Sequence, residues 1–384
     1  MPVLVALTAL LPLGMHMLLP ALPSIAREFG APIHTIQWAV TGFMIAVAVA
    51  QLVYGPLSDR YGRRAPLLVG LLIFAAGSLV CAAAPNTWVL LLGRVIQGAG
   101  ACTGIVLGRA MVRDVYSTER SSTLLAYVSM ALMMVPGMAP IIGGVLLSWL
   151  GWRWPFLLNA CIGVALFAIA WRLRETHLVR LKMPSLLALV RDFGLLMRKP
   201  AFVFPALATS FPSAGFFGFV SIAPALLDDR LQVPPDRYGF YFFMLPLGYF
   251  IGSFLATRLT PRLGGAVMAL AGFTLAALFS LGMVAMVLTT ELSALKVFLA
   301  VGLINGSMGL SVPTLQVRAM SADPRLIGAA SGLLGFLQMA FGALGTQVLG
   351  ALYDATALPP AAVLLTTTVL AVTMVVLGRE RRAG

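Results

Sequence analysis

Gly55-Pro56-Leu57-Ser58-Asp59-Arg60-Tyr61-Gly62-Arg63-Arg64 sets four charged residues, two glycines and a proline between two long apolar runs, Ile36 to Tyr54 and Pro66 to Ala84. A charged side chain at the centre of a bilayer costs about 3 kcal/mol on insertion scales, so one run ends here and the other starts again. The stretch predicts a tight loop between two membrane helices.

Working outward, the whole chain has the same character. It is 60% hydrophobic and 10% charged, with a mean hydropathy of +0.97, whereas a soluble domain is about 25% charged. A spanning helix needs about 20 apolar residues, and at roughly 32 residues per helix and loop the chain has room for about twelve. The net charge of +13 would suit a nucleic-acid partner if it were clustered on a soluble face. Sorting Lys and Arg by alternate loops instead puts 20 on the side of Asp59, 5 on the other and Arg94 inside a span, out of 26. The basic side is expected to be cytoplasmic, with both termini inside and no nucleic-acid partner. Cys81, Cys102 and Cys161 lie in apolar runs without paired spacing, so neither disulfides nor a metal site is expected. With three His and no nucleophile set or phosphate-cradling loop, an enzyme and a cofactor are not expected either.

The first run, Val3 to Leu22, has no positive leader and reads as an uncleaved helix, its outer end disturbed by Pro20 and Pro23. Six runs fill residues 1–174. A basic amphipathic stretch, 175–200, reads as a cytoplasmic connector lying against anionic lipid, and six more runs fill 201–384. The halves echo each other. At a spacing of 209, Gly93, Gly100, Arg109-Ala110-Met111 and Asp114 recur as Gly302, Gly309, Arg318-Ala319-Met320 and Asp323; a weaker echo at 198 sets Thr257 opposite Asp59. Parallel repeats of six helices are one known transporter architecture.

The opening stretch fills every fixed position of G-x-L-S-D-R-x-G-R-R and so resembles the loop between helices 2 and 3 of the major facilitator superfamily. The fold expected is an all-α membrane protein of twelve transmembrane helices in two six-helix bundles. Gly93-Arg94-Val95-Ile96-Gln97-Gly98-Ala99-Gly100 resembles the R-x-x-Q-G-x-G segment of that superfamily's antiporters, whose Arg serves proton coupling and substrate contact. Pro136-Gly137-Met138-Ala139-Pro140-Ile141-Ile142-Gly143-Gly144 is similar to the antiporter motif G-x-x-x-G-P-x-x-G-G of its exporters, with Val135 and Ala139 in place of two glycines. Leu19-Pro20-Ala21-Leu22-Pro23 resembles the D-x-Y-L-P-A-L-P segment of the Bcr/CflA drug-resistance exporters, but His16 and Leu18 stand where that group has Asp and Tyr.

These readings give candidate residues. His16, Arg94 and Gln97 are expected to serve coupling and substrate, with His16 and Arg94 at similar depth and close together. Asp59, with Arg60 or Arg64 near Asp114, is expected to gate the inner mouth. Pro136, Gly137, Pro140, Gly143 and Gly144 are expected to bend and hinge the fifth helix. Met130, Met134, Phe216, Phe217 and Tyr241 are expected to line a cavity, being soft and adaptable. The resemblance implies a monomer of the bacterial inner membrane, in contact with lipid, that exports small amphipathic drugs in exchange for protons by alternating access. The alternative is an exporter or facilitated carrier of a neutral or anionic metabolite without proton coupling.

Overall fold

The computed structural model describes residues 2–115, 118–176 and 186–383. Two compact units, Met1–Ser185 and Leu186–Gly384, make up the chain. In the first, the helices are α1 (Pro2–His16), α2 (Leu22–Phe29), the single turn α3 (Ile33–Ile36), α4 (Trp38–Tyr61), α5 (Arg64–Ala82), α6 (Thr87–Val115), α7 (Thr118–Leu150) and α8 (Trp154–Trp171). The second holds α9 (Leu186–Met197), α10 (Pro200–Ala225), α11 (Tyr238–Leu263), α12 (Gly265–Thr289), α13 (Ala294–Met320), α14 (Ile327–Leu352) and α15 (Leu358–Ala383). Among the described residues, eleven segments are helical, long and apolar enough to cross a membrane, and the 33-residue α7 contains a shorter apolar stretch, Met134–Leu150.

Without a hydrophobic drive between helices in lipid, association rests on close packing, and small residues at the contacts permit it. In the first unit α6 is the hub, against α1, α4 and α5. Gly104 shows the tolerance: a Cβ there would overlap the Leu7 carbonyl of α1. In the second unit α13 is the hub, packed on α11 and α12.

The opening stretch differs from its expected form. Helix α4 runs on through Pro56 to Tyr61, so only Gly62 and Arg63 lie outside helix, and Gly62 makes the turn at φ +88°. Continuing the helix after it leaves hydrocarbon keeps its backbone bonded internally, and Arg60 falls in its last turn. The corresponding turn of the second unit is Gly264 at φ +81°, 202 residues on from Gly62. The echo at 198 therefore lies one helical turn inside α11.

Packing also corrects the register of the longer repeat. Gly70 of α5 seats Thr103 of α6, and Gly272 of α12 seats Ser311 of α13, so the hub helices correspond at a spacing of 208. Accordingly Gly100 rests on Phe74 of α5, whereas Gly309 rests on Tyr249 and Ser253 of α11. The connector differs as well. Leu196 of α9 is fully buried against Phe202, Ala319, Ala330 and Leu333, so one face of the helix packs on protein rather than lipid.

Gly104→Leu should lower the stability of the purified protein by about 1–3 kcal/mol through overpacking. Gly282→Leu, where a Cβ meets open space, should leave the thermal unfolding midpoint in detergent unchanged. Equal midpoints for the two variants would contradict the close approach of α1 and α6.

Candidate functional site

Helix α1 stops at His16 because the sequence beyond it is hostile to a continuous helix. Pro20 sits in a 3-10 turn, Leu19–Ala21, and Pro23 lies in the first turn of α2. The carbonyls of a helix's last turn have no partner within the helix. One of them, the Gly14 oxygen, accepts a 2.8 Å hydrogen bond from Nη1 of Arg94, which reaches it from α6.

Arg94 is completely buried, and its planar fork serves several elements at once. Nε donates to the Ala39 carbonyl of α4 at 3.0 Å, and Nη1 also donates to Oε1 of Gln97 at 2.5 Å. Gln97 Nε2 donates to Ser78 Oγ of α5 at 2.8 Å, and that hydroxyl donates to the Phe74 carbonyl at 2.7 Å. The guanidinium carbon stands 4.2 Å from the centroid of the Phe43 ring. Nη2 alone has no protein partner. No carboxylate is among the buried polar groups of the described residues, so the charge is met by carbonyl dipoles, an amide and a ring.

His16 is buried and ends α1. Arg94 binds the backbone two residues before it and not its ring. Gly143, from the run that resembles the antiporter motif, faces the same break: a Cβ there would overlap the Met17 carbonyl. Pro136 and Pro140 both lie inside α7, whose Gly137, Gly143 and Gly144 are buried. Sequence reasoning missed Gly14, Phe43 and Ser78, since nothing in their local sequence says that α6 will point an arginine at them.

At the turn between α4 and α5 lies a second cluster. Arg63 Nη1 meets Asp59 Oδ1 at 2.6 Å and its Nε meets Asp114 Oδ2 at 2.9 Å; Nη1 also donates to Ser58 Oγ at 2.6 Å. This corrects the expectation for Arg60 and Arg64. Arg60 stacks on Tyr61, and Arg64 turns away to donate to the Trp171 carbonyl at 2.6 Å while stacking on that ring. The physical reason is the turn: α4 ends at Tyr61 and the chain turns at Gly62, φ +88°, which sets Arg63 against both Asp59 and Asp114. Partial burial alone would loosen the Arg63 proton, but hydrogen bonds to Asp114 and Asp59 outweigh it and hold the group above the ordinary arginine range.

Glu175, also missed, completes this cluster. Its carboxylate accepts from the backbone N–H of Arg63 at 2.7 Å and of Arg64 at 3.1 Å, at the start of α5. It occupies the space that a Cβ on Gly62 would take. In the second unit Asp323, the sequence counterpart of Asp114, binds Lys199 Nζ at 2.6 Å, and that hydrogen bond holds its carboxyl below the ordinary range.

The expected cavity residues are distributed. Phe216 and Phe217 of α10 meet edge to face at 5.2 Å, and Tyr241 of α11 packs on Phe298 at 5.6 Å. Met134 is exposed, and the Met130 side chain lies outside the described residues.

Removing Arg63 strands two carboxylates. Arg63→Ala should cost about 2–4 kcal/mol in thermal unfolding of the purified protein, and Arg60→Ala less than about 0.5 kcal/mol. The reverse order would mean that Arg60 holds the cluster.

The model of the Major Facilitator Superfamily matches residues 4–346. A bicyclomycin resistance protein homolog of Haemophilus influenzae is 26% identical over 355 residues, covering 92% of this chain and 89% of its own. A chloramphenicol resistance protein of Pseudomonas aeruginosa is 33% identical over 257 residues, 66% of this chain and 60% of its own. Among solved structures, a D-xylose-proton symporter superposes with a TM-score of 0.77 at 15% identity, covering 97% of this chain and 96% of its own, which speaks for the fold alone. Eleven apolar helices among the described residues and a match over nearly the whole length agree: the chain is a multi-pass membrane transporter of the Major Facilitator Superfamily.

Proposed function

We propose that the protein exports small amphipathic compounds from the cell in exchange for protons, by alternating access, with both termini cytoplasmic. The observation that carries this reading is Arg94, fully buried, free of any carboxylate and tied to the break in α1 beside His16. A buried charge inside a span is retained for function or for a costly structural bond. Relatives named for resistance to bicyclomycin and chloramphenicol supply the class of cargo.

In this mechanism His16 is the group whose protonation alternates, because His is the side chain that changes charge near neutral pH. Arg94 keeps its proton throughout. It orders the end of α1 through the Gly14 carbonyl and offers Nη2 to an acceptor. Protonation of His16 puts a second positive charge near Arg94, which disfavours a bound cation and drives rearrangement of the break. The break can move because its backbone is not a continuous helix and because Gly143 leaves room beside Met17. At the inner end, the Arg63 cluster with Asp59 and Asp114 opens and closes the mouth. The excess of basic residues on the Asp59 side, 20 against 5 of the 26, supports the orientation.

A carrier that has abandoned proton coupling is the competing reading, favoured by His16 standing where the related exporters have Asp. Proteoliposomes with an imposed pH difference separate the two. The wild type should concentrate chloramphenicol, an uncharged probe, against its gradient, and His16→Gln should only equilibrate it. A quaternary ammonium dye should be transported poorly, since the buried charge in reach is positive. Uphill accumulation by His16→Gln, or brisk transport of the dye, would overturn this assignment.

A further inference from the structure

Helices α4 and α5 are joined by two residues, and each packs closely on α6 but scarcely on the other. The result is a groove of about 870 Å³, floored by α6 at Val95 and walled by Val49 and Val53 of α4 and Val69 of α5. All four valines are exposed. Trp38 closes one end and Tyr61 the other. At 1.5 Å per residue the 23 steps between them span about 35 Å, against about 30 Å of hydrocarbon, so the groove crosses the whole apolar layer with an aromatic ring at each interface.

Its dimensions select the occupant. At about 35 Å it is a long furrow open along its side, the shape of an extended chain. The lining is almost wholly apolar along its length, so an amphipathic cargo would find nothing for its polar groups. A flexible hydrocarbon chain meets both conditions.

The inner end supplies the charge. Arg60 is exposed, with its guanidinium carbon 5.1 Å from the centroid of the Tyr61 ring that ends the groove. Both nearby carboxylates, Asp59 and Asp114, are taken by Arg63, and Arg64 is turned to Trp171. An exposed cation at the cytoplasmic interface attracts anionic headgroups. We propose that this groove binds an anionic phospholipid of the inner leaflet, with an acyl chain along α4 and α5 and the phosphate on Arg60. Ordinary lipid coverage of a membrane surface would show no such choice of place or headgroup.

The test is native mass spectrometry of the full chain in detergent, titrated with dioleoyl phosphatidylglycerol or dioleoyl phosphatidylcholine. The wild type should hold one phosphatidylglycerol about fivefold more tightly than phosphatidylcholine. Arg60→Gln should remove that preference. Val49→Trp, which fills the groove, should lose the tight copy of both lipids, while Val164→Trp, on the exposed face of α8, should keep it. Thermal unfolding midpoints close to wild type confirm that each variant is folded. No headgroup preference in the wild type, unchanged binding by Val49→Trp, or equal loss in Val164→Trp would overturn the site. Displacement of the bound phosphatidylglycerol by chloramphenicol would also overturn it, assigning the groove to cargo. The readout is lipid retention, so its failure leaves the export reading untouched, and the reverse holds too.

Discussion

The first unit depends on one arginine. A fully buried guanidinium costs several kcal/mol of desolvation unless its donors are satisfied, and Arg94 recovers this from the Gly14 and Ala39 carbonyls, Gln97 and the face of Phe43. These groups sit on α1, α4 and α6. The Gly14 carbonyl is free only because α1 ends where it does, and Gln97 is oriented by Ser78 of α5. The helix break, the glycine packing that lets α1 and α7 approach, and the position of His16 thus form one arrangement around a single charge.

The cluster at the Gly62 turn solves a different problem. There the charges lie beyond the hydrocarbon, and Arg63 meets two carboxylates while Glu175 caps the turn that follows. Arg63 is itself nearly buried, so it holds two carboxylates that would otherwise be left unpaired, whereas the group around Arg94 contains no carboxylate and meets its charge with carbonyl dipoles, an amide and a ring.

The sequence made the broad architecture legible because membrane insertion is a coarse constraint: about 20 apolar residues and a charged boundary locate a span whatever its neighbours are. Pro20 and Pro23 likewise announced a disturbed end to the first helix. What stayed hidden depended on register. Adjacent arginines at 63 and 64 are equivalent on paper, and only the end of α4 at Tyr61 decides which one faces Asp59. The repeat was visible at 209, yet the contacts of Gly70 with Thr103 and Gly272 with Ser311 set the hub helices at 208, a one-residue difference that turns a helical face by about 100°. Ser78 and Phe43 carry no local mark of their contact with the Arg94 group; their part exists only once three helices have been brought together.

The central claim is that Arg94 acts through the geometry of its fork and not through charge alone. Arg94→Lys keeps the charge but has one compact ammonium that cannot span the carbonyls of α1 and α4 together. The direct measurement is chloramphenicol accumulation by proteoliposomes of this variant, with its thermal unfolding midpoint recorded on the same preparation. The account predicts a lowered midpoint and loss of accumulation; wild-type values for both would show that a positive charge at this position is sufficient and would contradict it.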